Sequence, residues 1–128
     1  DRSAEPTAEE LAALLQRRPV LQMDFNEITD LLTDFGWLAR SESMDAFKAL
    51  PEALAKHRDM VSEVVRRGLE MMLADTEPDQ VMYTLESLVT ARLSGVEKAH
   101  RMIIEGMMGT QAGKKPEEIA ETVRQVGG

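Results

Sequence analysis

The sequence predicts an all-α fold, a small helical bundle containing one long helix. Three observations carry that expectation. Apolar residues recur at three- and four-residue intervals along most of the chain. No run alternates β-branched with polar residues in the manner of a strand, and no internal repeat is visible. Two of the periodic runs are preceded by a cap residue with glutamate three positions later, the mark of a helix start. The length of 128 residues is ample for one domain, which at this size buries roughly two-thirds of its unfolded surface.

The elements follow in order. Thr7-Ala8-Glu9-Glu10 has capping-box spacing, Leu11, Leu14 and Leu15 share one face, and Pro19 closes the helix. Asp24-Phe25-Asn26-Glu27 repeats the device, with Met23 and Ile28 placed as a hydrophobic staple. Ile28, Leu31, Leu32, Phe35 and Leu38 carry this second helix to about Arg40. Loss of either cap costs about 1 kcal/mol. Residues 41–50 read as a frayed helical turn, and Pro51 suits the first position of a third helix.

That third helix carries Leu54, His57, Val61, Val64, Gly68 and Met72 on one stripe. Glu52, Lys56, Asp59, Glu63, Arg66 and Arg67 face the other way. ADTEPDQ (74–80) breaks it, with Thr76 the expected cap of the fourth helix. In the fourth, Val81, Leu85, Leu88, Val96, Ala99, Ile103 and Met107 keep helical phase through Ser94-Gly95. Unbroken, residues 77–108 span about 48 Å at 1.5 Å per residue. Gly109 or Gly113 ends it, and Pro116 opens a last helix with Ile119 and Val123. The methionine pairs at 71–72 and 107–108 read as core. The expected organisation is an N-terminal helix and linker (1–22), then one helical domain (23–128) with a junction near 93–95.

Composition narrows the chemistry. Hydrophobic residues make up 43%, aromatics only 4%, and nine methionines point to an aliphatic, adaptable core. A net charge of −8 argues against nucleic acid and anionic membrane surfaces, both of which select clustered lysine and arginine. With no cysteine, disulfides and thiolate metal sites are excluded. Residues 1–15 carry acids where a secretion signal needs bases, and no apolar run is long enough to span a bilayer. His57 sits on an apolar stripe and reads as a packed imidazole; His100, beside Arg101, reads as surface. Neither has a partner at metal-ligand spacing. No two carboxylates stand out as an acid/base couple, and AGKKP lacks the glycine pattern and hydroxyl of a phosphate loop. Neither enzyme activity, a metal nor a cofactor is expected.

Three blocks, in order, carry a resemblance. Met102-Ile103-Ile104-Glu105-Gly106, followed by Gln111, Gly113 and Pro116, resembles the MIIEG-like run and GxxxIQxGxNP-like turn of the flagellar stator A-subunit family. This is the MotA/PomA type, within the MotA/TolQ/ExbB proton channel class. RRGLEMMLADTEPDQVMYTLE (66–86) resembles that family's KGLxLLVDGTDPExIxxxLE segment, with Ala74-Asp75 in place of Asp-Gly. ARSESMDAFK (39–48) resembles ARREGLLALE. In the family, two membrane helices lie between the second block and the MIIEG run. Only SLVTARLSGVEKAHR (87–101) stands there in this chain, so the resemblance implies a cytoplasmic portion whose ends join near Leu93-Ser94-Gly95.

The resemblance implies the cytoplasmic domain of an ion-driven stator unit that pushes on the rotor switch protein FliG. The parent is then a homo-oligomer around a B-type stator subunit, in the bacterial inner membrane facing the cytoplasm. Rotor contact falls to Arg40, Glu42, Asp45 and Lys48. At Lys48 the family carries glutamate, so the sign is reversed, and Ser43 and Asp45 replace glycine and leucine. The competing expectation is a free-standing helical adaptor that holds a protein partner through its acidic or Met-rich face.

Overall fold

The computed structural model describes residues 6–128. Six α-helices and two short 3-10 turns follow one another, with no strand among the described residues. They are α1 (Ala8–Arg17), a turn at Val20–Gln22, α2 (Phe25–Ser41), a turn at Met44–Phe47, α3 (Leu50–Leu54), α4 (Met60–Leu73), α5 (Pro78–Gln111) and α6 (Pro116–Gly127). The all-α expectation and the single long helix are both met. The chain divides into two compact units, one reaching Glu86 and the other Ser87–Gly128, with the boundary inside α5.

In the first unit both expected capping boxes form. The Thr7 hydroxyl accepts the Glu10 N–H at 3.1 Å, and the Glu10 carboxylate accepts the Thr7 N–H at 3.0 Å. Asp24 and Glu27 make the same exchange at 2.8 and 3.2 Å. With the helix starts set, leucines converge: Leu11 and Leu15 from α1, Leu31 and Leu38 from α2, Leu50 and Leu54 from α3, and Leu69 from α4. Full burial of each contributes about 1.5–3 kcal/mol. Leu32, expected on the same stripe of α2, is instead exposed, so the buried face of that helix is narrower than its apolar pattern.

The expected third helix is two helices. α3 stops at Leu54 and α4 begins at Met60, so the stripe read as continuous straddles a turn. Asp59, expected on the charged face, caps α4: its Oδ1 accepts the Ser62 N–H at 2.8 Å. His57 Nε2 lies 2.7 Å from the Leu15 carbonyl oxygen and therefore donates to it, which fits a packed imidazole. The fully buried Ser62 hydroxyl accepts the Val20 N–H at 3.0 Å. The Asp59 bond satisfies a free N–H at the start of α4, while His57 and Ser62 satisfy the Leu15 carbonyl oxygen at the end of α1 and the Val20 N–H in the turn that follows it.

Thr76 does not cap α5. The helix begins at Pro78, and Val81 donates to the Glu77 carbonyl oxygen at 3.0 Å, which places the cap at Glu77. Thr76 instead closes α4, donating to Met71 O at 3.0 Å while Asp75 donates to Met72 O at 3.1 Å. This double bond pattern needs a left-handed residue, and Asp75 takes φ +60°.

In the second unit α5 runs unbroken through Ser94-Gly95. It ends in the same motif, with Gly113 at φ +72°, Gly113 donating to Thr110 O and Lys114 to Gly109 O. The chain then reverses into α6. Lys115 has no side-chain acceptor, so only half of a cap forms there: its N–H donates to Glu118 Oε1 at 3.2 Å. α6 packs where α5 is smallest. A Cβ at Gly109 would lie 3.0 Å from Ile119 Cγ1, and one at Gly106 would lie 3.5 Å from Val123 Cγ2.

The methionine pairs depart from expectation. Met71 is buried, but Met72, Met107 and Met108 are exposed, as are Ile103 and Ile104. Within this unit α6 alone packs on α5 and covers one side of it. Among the described residues no helix is long and apolar enough to cross a membrane.

Candidate functional site

The charged segment after α2 is shaped by what surrounds it. α2 ends as the Ser41 hydroxyl donates to Trp37 O at 2.7 Å and Glu42 N–H to Leu38 O at 2.9 Å. The Ser43 hydroxyl then accepts the Asp45 N–H at 3.2 Å and starts the 3-10 turn, which closes with Lys48 N–H on Asp45 O. Phe47 and Leu50 point into the core, and the Phe47 ring meets Phe35 edge-on at 5.8 Å between centroids. Such a ring pair contributes about 0.5–1.5 kcal/mol beyond its burial. With the apolar residues anchored, Arg40, Glu42, Asp45 and Lys48 are left exposed.

Three of these four residues come together. Glu42, Asp45 and Lys48 line an open groove of about 510 Å³, whose other wall is α1. Arg40 lies farther back on α2 and does not line it. Lys48 Nζ stands 3.2 Å from Asp45 Oδ1, with both side chains more than two-thirds exposed. A pair so open to water contributes about 0–1 kcal/mol and can exchange partners freely. From α1 the groove receives Glu9 and Gln16, and between the walls lie Ala12, Ala13, Ala46 and Ala49. Sequence reasoning missed the α1 wall, which lies far from residues 42–49 in the chain. The available signal was the alanine spacing along α1, at positions 8, 12 and 13.

The wall is held in place by an ion pair at its far end. Arg18 grips Glu27 through two contacts of 2.6 Å and donates to Gln22 O at 3.0 Å, tying the end of α1 to the start of α2. The Arg18 hydrogen bond, followed by the Asp24 backbone N–H, holds the Glu27 carboxyl below the usual carboxylate range. Glu27 in turn raises the Arg18 guanidinium.

The residues of the MIIEG-like block take other roles. Gly106 faces α6, Gly113 supplies the left-handed turn, Pro116 is the first residue of α6, and Gln111 the last of α5. Met102 is half-buried, close to Gly127, whereas Ile103, Ile104 and Glu105 are exposed. Glu105 and Lys114 line a small cleft of about 240 Å³ beside Gly109 and Ile119. Among the described residues no group of three or more potential ligands could hold a metal ion. No protein-family model matches the chain, and neither a curated protein nor a solved structure matches it.

Proposed function

We propose that this chain is the cytoplasmic portion of an ion-driven flagellar stator subunit, and that it transmits torque by contacting the rotor switch protein. One observation carries the reading. Among the described residues the backbone enters the left-handed region at two positions, Asp75 and Gly113. Both are positions where the resembled blocks carry glycine, which adopts that conformation without a Cβ penalty. Aspartate is among the few other residues that adopt it readily, so the exchange at position 75 preserves the turn. The left-handed backbone at these two glycine positions of the resembled blocks supports the reading.

On this reading Glu42, Asp45 and Lys48 meet the rotor, with Arg40 at the margin. A torque contact has to form and release repeatedly. Exposed charges suit it, because they steer and register a partner more than they hold it. The coupling ion, proton or sodium, and the B-type subunit belong to the membrane part of the parent. The chain is not an enzyme in this proposal and uses no cofactor.

The second reading, a free-standing adaptor, is favoured by exposed Ile103, Ile104, Met107 and Met108. The native reading frame separates the two. The stator reading expects two apolar spans encoded between Glu86 and Met102. A native gene that encodes residues 87–101 without interruption overturns it in favour of the adaptor.

A further inference from the structure

We propose that the groove between α1 and the turn at residues 42–49 docks a basic amphipathic helix, whose small apolar face lies on the alanines and whose Lys or Arg residues meet the acidic rim. The inference deepens the contact reading above, since it shares Glu42 and Asp45 with it. It adds α1, to which no role has so far fallen, and it names the chemistry of the partner.

Charge complementarity selects the occupant. Three carboxylates, Glu9, Glu42 and Asp45, stand at the groove against one ammonium, Lys48. That ammonium is already beside Asp45 at 3.2 Å. Glu9 and Glu42, on opposite walls, are exposed and have room to take cations from both flanks of an incoming helix. Between them every apolar wall residue is alanine, so the longer side chains at the groove are the polar ones, Glu9, Gln16, Glu42 and Lys48. An acidic or extended partner meets none of this: its charge is repelled, and there is no sheet edge on which to pair. Glu10 takes no part, because its carboxylate is engaged by the Thr7 N–H.

The test titrates the full chain, isotope-labelled for NMR, with two synthetic helices of about 16 residues, roughly four and a half turns. Both carry the same Ala/Leu face, one flanked by lysines and the other by glutamates. The lysine helix is expected to give saturable shifts at the amides of Ala12, Ala13, Ala46 and Ala49, weakening as salt is raised. The glutamate helix is expected to give none. Glu9→Lys with Glu42→Lys lowers affinity for the lysine helix about tenfold, since two attractive pairs become repulsive ones. Ala13→Trp blocks the groove sterically while circular dichroism stays unchanged. Equal binding of both helices, shifts confined to other surfaces, or no saturable binding overturns the proposal. None of those results touches the stator reading, which stands or falls on the native reading frame; an uninterrupted frame leaves the groove result intact.

Discussion

The two units hold their helices together by different means. Up to Glu86, seven leucines and Phe47 are almost fully enclosed, and the breaks between helices are tied by a buried hydrogen bond to Ser62 and a half-buried one from His57. From Ser87 onward Gly109 is the only residue buried among those described, and α6 approaches α5 closely where Gly109 has no side chain to meet Ile119. The first unit therefore has an interior to anchor a charged turn in a fixed shape. The second has close backbone approach, a left-handed reversal and helix propensity. If the proposed rotor contact transmits force, the first unit is the scaffold that can hold it in shape.

Substitutions can break this contrast in order of size. Leu54→Ala removes a fully buried side chain where α3 meets the rest of the core. It is expected to cost about 2–5 kcal/mol in urea unfolding, with amide protection falling throughout residues 8–73. Gly109→Val drives a branched side chain into Ile119 and is expected to cost about 1–3 kcal/mol. Its signature is faster amide exchange across α6, with protection of Leu15, Leu38 and Leu69 unchanged. Loss of protection in both units would show that they do not hold together by separate means.

Ser62→Ala is subtler. It leaves the Val20 N–H buried without an acceptor, at a cost of about 1–3 kcal/mol, and speeds exchange at that amide first. The smallest effect is on pH. Because Glu27 titrates below its ordinary range in the folded chain, its pairing with Arg18 stabilises the fold fully at neutral pH. That contribution declines once pH falls below about 4.3, the unfolded value, and is gone below the folded one. Glu27→Gln therefore lowers the urea midpoint at neutral pH, and the gap to the unsubstituted chain closes on acidification.

Much of this was legible in advance for a physical reason: helix starts and glycine stops act locally. Thr7, Asp24, Gly113 and Pro116 each do what their immediate neighbours dictate. What could not be read is non-local. His57 and Asp59 sit on a helical period, yet the Leu15 carbonyl oxygen and the Ser62 N–H draw them into a turn that splits the expected third helix. Met107 and Met108 have the character of core residues, but the pattern of one helix does not say whether another covers it. The same limit hid half of the groove. Glu42, Asp45 and Lys48 are neighbours in sequence, whereas Glu9 and Ala12 join them only through the packing of α1 on α3.

Under the proposed stator function, the exposed charges on the anchored turn make the rotor contact. Its most direct test is swimming of cells whose full-length parent carries Glu42→Lys together with Asp45→Lys. The expected result is that the isolated chain keeps its helicity and melting temperature, while swimming fails and stator units still assemble at the motor. Unimpaired swimming with both charges reversed contradicts it.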